Sequence, residues 1–386
     1  MMTKKLEKLI GNQFLEIANA IESGNFGKKI KIGLTTLGSE HGPQNLIDGV
    51  LLAKEEMPNA EIVLIGKGHP DFESYETECQ NEMHDIMDKL LENKKIDACV
   101  TNHYNFPIGV STVGRVVTPA MGKDMMIATT TGTSALTRTE AMFNNAIYGI
   151  IAAKAVGIKD PKVGILNLDN ARAVEIGLKT LKENGYNINF SESKRSDGGN
   201  IMRGNDLLMG SSDIMVMDTL TGNIMMKMFS SFTTGGKYEA VGYGYGPGIG
   251  FDYGKVVLIL SRASGVPVVK NAIKYAYQIA NNNILQIVKD EYEAVKKAGY
   301  DEIVKSFSAK CVSGNKDEEI VIPPKEVVTE YISGIDVLDL DVACEELWKK
   351  GIYAETGMGC TGPIINVSEK NIEKATELLK SAKFII

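Results

Sequence analysis

The chain has 386 residues, 44% hydrophobic and 24% charged, which is ordinary globular usage, argues against disorder and, at roughly 150 residues per domain, leaves room for two or three domains. The formal net charge is -7, from 49 acidic and 42 basic residues, with no Lys/Arg run or basic-aromatic stripe, so no nucleic-acid partner is expected. The longest aliphatic run, Val256–Leu260, falls far short of the about 20 residues of a membrane span, and Met1–Leu9 lacks the continuous apolar stretch of a secretory signal, so no membrane span and a cytoplasmic location are expected.

In chain order, Leu6, Leu9, Ile10, Phe14, Ile17 and Ile21 recur at helical spacing and predict an amphipathic N-terminal helix, ended by Ser23-Gly24-Asn25. From residue 30, short aliphatic runs alternate with helical stretches. Ile30–Leu34, Glu61–Ile65, Asp97–Thr101, Met125–Thr129, Lys162–Leu168, Ile188–Ser191, Asp213–Asp218 and Val256–Leu260 read as strands. Asn45–Glu56, Asn81–Asn93, Thr139–Val156, Ala171–Asn184 and one long stretch from Pro267 to Ala298 read as helices. This alternation predicts an α/β protein, with a parallel or mixed sheet covered by helices on both faces.

Beyond residue 300 the texture changes. Ser313–Glu319 is polar and Ile320-Val321-Ile322-Pro323-Pro324 is a stiff connector. Helices near Val342–Lys350 and Glu369–Lys380 then flank a Gly-rich segment. The expected domains are an N-terminal helix at 1–29, an α/β body at 30–299 and a small C-terminal αβ module at 300–386.

Cysteines stand at 79, 99, 311, 344 and 360, an odd number with no CxxC spacing, which argues against a disulfide framework and a zinc ribbon. Cys360 lies in Glu355-Thr356-Gly357-Met358-Gly359-Cys360-Thr361-Gly362-Pro363. Its glycine flanks leave a thiol sterically open, with backbone N–H groups nearby, so a reactive thiol is read here rather than an inert core residue. Cys99 is on a predicted strand and reads as core, with a functional role open because that strand should end at the ligand edge.

Three further segments carry candidate chemistry. Gly38-Ser39-Glu40-His41-Gly42-Pro43, between a strand and a helix, suits either an anion-binding loop or a tight turn with Pro43 opening the helix. Asp218-Thr219-Leu220-Thr221-Gly222-Asn223, with Lys227 further into the helix, suits a phosphate or an N-capped helix with a solvated lysine. The Gly/Tyr alternation Gly242–Gly250 should line a cleft or form a flap, and Arg262 after the next strand could clamp a phosphate. No acidic metal cluster and no Gly-x-Gly-x-x-Gly fingerprint with its distal acidic residue is present, so no metal or cofactor is expected and an isocitrate-dehydrogenase-like oxidoreductase is disfavoured.

Several of these pieces occur in one known order. Leu37-Gly38-Ser39-Glu40-His41-Gly42-Pro43 resembles the Met-Gly-Gly-Asp-x-Gly-Pro signature of PlsX-type phosphate acyltransferases, and the strands and Thr221-Gly222-Asn223 with Lys227 follow as in that family. The resemblance covers roughly residues 30–280. It implies a three-layer α/β/α sandwich of the phosphate acetyltransferase type, distantly like isocitrate dehydrogenases. The cleft would be formed by loops after Ile32–Leu34, Asp97–Thr101, Asp213–Asp218 and Val256–Leu260. It also implies chemistry that joins inorganic phosphate to an acyl group held as a thioester.

The chain departs from the PlsX pattern at Glu40, at Thr101-Asn102-His103-Tyr104-Asn105-Phe106, at Ser261 and in its last hundred residues. With those residues the full pattern is similar to the α subunits of component C of glycine/sarcosine/betaine reductase complexes. That likeness implies anaerobic amino-acid fermentation. The partners would be a ketoacyl-synthase-like β subunit and selenoprotein A, with a homo-oligomer also open. The product would be acetyl phosphate, made from an acetyl thioester and phosphate. Cys360 would be catalytic with Cys99 in reserve, and Glu40, His41, Gly42, Thr221, Gly222, Asn223, Lys227 and Arg262 would bind phosphate or acyl groups. A non-catalytic scaffold subunit and an acyl-carrier-protein:phosphate acyltransferase remain alternatives at this point.

Overall fold

The computed structural model describes Phe14, residues 29–194, 199–310, 322–333, 335, 340–359, 362–382 and 384–385. The predicted helix at 1–29 therefore lies almost wholly outside the described residues. Two compact units divide the chain, Met1–Lys310 and Cys311–Ile386.

The first unit opens with β1 (Ile30–Thr35), α1 (Gly42–Glu56), β2 (Ala60–Gly66), β3 (Glu73–Glu76), α2 (Gln80–Glu92) and β4 (Ala98–Thr101). A long antiparallel pair follows, β5 (Val110–Val117) and β6 (Asp124–Thr133), then α3 (Arg138–Ala155), β7 (Lys162–Leu166) and α4 (Ala171–Glu183). The short β8 (Asn189–Phe190), β9 (Ile201–Met202) and α5 (Gly204–Met209) lead into β10 (Ile214–Val216) and α6 (Thr219–Ser231). The unit closes with β11 (Gly246–Ile249), β12 (Val257–Ile259), α7 (Val266–Asn281), α8 (Ile284–Lys297) and α9 (Tyr300–Lys310).

Twelve strands form one mixed sheet in the order β3-β2-β1-β4-β12-β11-β5-β6-β10-β7-β8, with β9 also on β7. Pairing is parallel within β3-β2-β1-β4-β12 and within β6-β10-β7-β8. The three pairings between these blocks, β12·β11, β11·β5 and β5·β6, are all antiparallel. Three reversals leave the two parallel blocks running in opposite directions. Register then fixes where their ends meet. Ile259, the end of β12, pairs with Gly246. A Cβ on Gly246 would lie 1.7 Å from the Val113 carbonyl oxygen. Val113 pairs with Ala128, and Ala128 with Val216, the end of β10. The C-terminal ends of both blocks thus converge on one level of the antiparallel seam, the place where open α/β sheets bind ligands.

Side chains alternate cleanly across the sheet. Ile62, Leu64, Ala98, Val100, Ile214 and Val216 face one core, shared with α1, α3, α4, α7, α8 and α9. Val63, Ile65, Cys99, Met215 and Met217 face the other, shared with α2, α5 and α6. This is the three-layer sandwich that the resemblance implied. Among the described residues no helix is long and apolar enough to cross a membrane.

Two boundaries differ from the sequence reading. The long helix from Pro267 to Ala298 is two helices, broken where Asn283 takes φ 53°, a left-handed conformation that asparagine tolerates. The body also runs past 299. Tyr300 donates to Asn144 Oδ1 at 2.7 Å, and Ile303 and Phe307 are buried against the α3–α4 side of the core.

The second unit pairs β13 (Glu330–Ser333), β15 (Gly362–Val367) and β14 (Ala354–Gly359) antiparallel in the order β13-β15-β14. α10 (Leu340–Lys349) and α11 (Ile372–Ser381) complete its own core of Ile332, Ala343, Leu347, Ile365, Val367 and Leu379. The described parts of its Gly-rich segment lie on β14 and β15, whose antiparallel register runs from Ala354–Val367 to Gly359–Gly362.

A chain ending at Lys310 should therefore unfold cooperatively, whereas one ending at Ala298 should not fold. Phe307→Ala in the full chain should cost about 3–5 kcal/mol, the usual loss for a buried Phe. Urea titrations of the three proteins check this.

Candidate functional site

Helix α6 brings most of the predicted residues together. Asp218 caps it, taking Thr221 N–H on Oδ1 at 3.0 Å and the Thr221 hydroxyl on Oδ2 at 2.6 Å. Thr221 thus spends both its donors on the cap. The N–H groups of Thr219 and Leu220, ahead of it in the first turn, have no partner among the described residues. Asn223 Nδ2 donates to the Thr130 carbonyl at 3.1 Å. Gly222 is buried, and a Cβ there would stand 1.7 Å from the Thr129 carbonyl oxygen, so only glycine lets the helix lie this close to β6.

Below α6, threonine hydroxyls form a buried floor at a bulge in the β5–β6 ladder. Thr112 Oγ1 is 2.6 Å from Thr130 Oγ1 and 3.0 Å from Thr131 Oγ1, and Thr130 donates to the Tyr245 carbonyl at 2.9 Å. Two turns into the helix, Lys227 is 56% exposed, with its Nζ 3.9 Å from Glu239 Oε1 and 5.6 Å from the Tyr245 ring centre.

A second group forms where the loop after β1 meets the loop after β12. Glu40 N–H donates to the Arg262 carbonyl at 2.9 Å, the His41 ring lies 3.4 Å from the Ala263 carbonyl, and Asn45 Nδ2 donates to the Ser264 carbonyl at 2.9 Å. Gly42 starts α1 at φ 77°, outside the range most side chains adopt. A groove of about 450 Å³ opens here, lined by His41, Gln44, Asn45, Asp48, Tyr238 and Val266.

The loops after β1 and β12 form one group and the start of α6 another. α1 packs on one face and α6 on the other, because their apolar stripes join different cores. The two groups are linked through Glu239, which faces Lys227 and accepts from Ser264 Oγ at 2.9 Å. Neither Glu239 nor the floor of Thr112 and Thr131 was among the residues read from the sequence. The Thr129-Thr130-Thr131 run at the end of a predicted strand was a usable signal for the floor, while an isolated glutamate gives none.

The predicted thiols divide. Cys99 is wholly enclosed, 0% exposed, in the core between the sheet and α2, and burial pushes its thiol far above the usual range. That enclosure denies it the open approach a nucleophile needs. Cys344 is likewise buried, donating to the Ala354 carbonyl at 3.4 Å, its thiol pushed up to about 12 by burial and nearby carboxylates. Cys360 lies outside the described residues. Among the described residues no three of His, Cys, Asp and Glu come together as a metal site. A larger cavity, about 1000 Å³ and lined by Lys31, Lys95, Asp97 and Lys255, lies at the N-terminal ends of β1, β4 and β12, and none of the predicted site residues lines it.

Residues 30–366 match the sequence model of the fatty acid synthesis protein family. The chain belongs to this PlsX-like family. A family relative, the glycine/sarcosine/betaine reductase complex component C subunit alpha of Peptoclostridium acidaminophilum, is 58% identical over 98% of this chain and 99% of its own. The phosphate acyltransferase of Thermotoga petrophila is 28% identical over 52% of this chain and 67% of its own. A solved branched-chain phosphotransacylase from Enterococcus faecalis V583 aligns at 16% identity and a TM-score of 0.42, over 65% of this chain and 99% of that one.

Within this family fold, Gly222→Ala should push α6 away from β6. The expected loss is about 1–3 kcal/mol, typical of overpacking at a site that cannot relax. A denaturant midpoint unchanged from the parent would contradict the close approach.

Proposed function

We propose that this chain passes an acyl group from an enzyme-bound thioester to inorganic phosphate, as the α subunit of an amino-acid reductase complex like that of the Peptoclostridium relative, with acetyl phosphate as product. The observation that carries this reading is α6. Its first turn offers unpartnered N–H groups at Thr219 and Leu220, and Lys227 stands half-exposed on the same helix. N–H donors at a helix N-terminus together with a cation are what a phosphate requires. The 58% identity to the component C subunit supports the acetyl thioester as donor.

In the reaction, a phosphate oxygen attacks the thioester carbonyl carbon. A C–O bond forms, the C–S bond breaks, and sulfur leaves with the electron pair and takes up a proton. Lys227 and the start of α6 offset the phosphate charge. Gly222 sets the helix at the required depth, and Thr221 and Asn223 hold it there through Asp218 and Thr130. Glu40, His41, Gly42 and Arg262 are assigned to the acyl-bearing end, beside the groove at His41.

Cys360 is assigned as the carrier of the acetyl group. It stands in sequence between Gly359 and Gly362, which remove side-chain bulk on both sides, while the buried Cys99 and Cys344 lack any such opening. The ketoacyl-synthase-like β subunit and selenoprotein A are the partners of this reading, and the cytoplasm is its compartment.

Acid quench of the intact complex during turnover, followed by peptide mass mapping, should find acetyl on Cys360, and Cys360→Ser should stop acetyl phosphate formation. Acetyl on another residue, or full turnover without the Cys360 thiol, would refute the assignment. Lys227→Ala should weaken phosphate use by roughly 10- to 100-fold, the worth of one charged contact of about 1.5–3 kcal/mol. Initial rates against phosphate concentration measure it.

A further inference from the structure

Four acidic side chains are almost wholly enclosed among the described residues: Glu175, Asp206, Glu239 and Glu291. Three have close, saturating partners. Glu175 binds Arg172 and Lys179 directly, and Glu291 binds Lys154 at 2.5 Å and Tyr186 at 2.6 Å. Asp206 takes two backbone N–H groups and the hydroxyls of Ser193 and Ser211. Glu239 is different. It is 3% exposed, with Oε1 accepting from Tyr245 OH at 3.0 Å and Oε2 from Ser264 Oγ at 2.9 Å. The cation facing it, Lys227, stops 3.9 Å short of Oε1, beyond hydrogen-bond reach.

That stand-off has a structural cause. The backbone of Glu239 is bound on both sides to the turn after β12, by Glu239 N–H to the Ala263 carbonyl at 2.9 Å and Gly265 N–H to the Glu239 carbonyl at 2.8 Å. The main chain of Glu239 is therefore anchored, and its carboxylate is located by its own hydrogen bonds. Each of its oxygens already holds a hydroxyl from a different element. Among the described residues, Lys227 Nζ makes no hydrogen bond at all. A carboxylate lacking those hydroxyls would draw the ammonium into a direct bond near ~2.8 Å and consume a donor. Instead the charge is balanced from behind while the N–H groups stay available in front.

We propose that Glu239 is the positioning residue of the anion subsite: its buried carboxylate, held in place by the hydroxyls of Tyr245 and Ser264, keeps the Lys227 ammonium at a stand-off with its donors turned to inorganic phosphate. Glu239 touches no substrate and acts only through Lys227. The proposal rests on the reading of Lys227 as a phosphate contact.

The test is steady-state acetyl phosphate formation by the intact complex, with inorganic phosphate varied and melting temperatures recorded alongside. Glu239→Gln keeps size and removes charge. It should raise the KM for phosphate about tenfold, an ordinary coupling between neighbouring charges, and leave kcat within about twofold. In a Lys227→Ala background the same change should add nothing. Ser264→Ala, which removes one of the two hydroxyls that locate the carboxylate and lets it turn toward the lysine, should raise the phosphate KM about threefold, and it decides the matter where Glu239→Gln does not fold. An unchanged phosphate KM in Glu239→Gln or Ser264→Ala, beside a raised one in Lys227→Ala, overturns the proposal alone. So does an equal effect of Glu239→Gln in both backgrounds, or a loss confined to kcat and melting temperature, as a purely structural residue would give. An unchanged KM in Lys227→Ala overturns the underlying reading as well.

Discussion

A single missing carbon sets the depth of helix α6. With any side chain at residue 222, the helix would meet the Thr129 carbonyl at 1.7 Å and have to lift from the sheet. Because it does not, Asn223 reaches the Thr130 carbonyl, Met226 enters the core beside Gly114, and Lys227 arrives at the level of Tyr245 and Glu239. Gly246 imposes the matching constraint from the sheet side, with Val113 O where its Cβ would be. These two close approaches lock the antiparallel seam to the helix that crosses it. The convergence of the two opposed strand blocks becomes a usable site only through that lock.

The opposed blocks bring the two groups of residues to one level from opposite sides. In a sheet running one way throughout, the loops after β1, β4, β12 and β10 would leave one edge together. Here β11 and β5 reverse the direction, so β10 approaches the common level from the other side, and α6 packs on the opposite face from α1. Something must bridge the two groups. Residues 239–241 do so through backbone bonds to Ser230 on one side and to Ala263 and Gly265 on the other. A buried carboxylate is costly unless hydrogen-bonded, and each oxygen of Glu239 accepts one hydroxyl, from Tyr245 and from Ser264.

Periodic elements were legible in the sequence because hydrophobic spacing is a local property. Nearly every aliphatic run from Ile30 to Leu260 is a strand, and the glycine of Thr221-Gly222-Asn223, inside α6, marks a real close approach. What was not legible depends on pairing between distant segments. β5 was not picked out, although it anchors the seam, and strand direction is set by partners rather than by pattern. The break at Asn282–Asn283 was hidden because the apolar spacing continues across it into α8. Thr221 looked like a phosphate ligand and is a cap residue, since both readings need the same hydroxyl at the same helix position. Glu239 carried no local signal, because its meaning comes from Lys227, Tyr245 and Ser264, which only the fold assembles.

The protons of the threonine floor limit what it can offer an anion. A hydroxyl donates once. Thr130 spends its proton on the Tyr245 carbonyl at 2.9 Å, so in its 2.6 Å bond with Thr112 it accepts and Thr112 donates. Thr112 then has no proton left for Thr131, and its lone pairs take the Thr131 N–H at 3.0 Å and the Thr131 hydroxyl at 3.0 Å. All three protons are committed within the floor, so this hydroxyl-rich surface has none left to donate to an anion. On the proposed reading, the attraction for phosphate comes from α6 itself, through the first-turn N–H groups and Lys227. An ammonium more than half exposed is weakly held and well hydrated, and its aim matters more than its mere presence. Among the described residues, the charge that faces it is the Glu239 carboxylate, 3.9 Å from its Nζ.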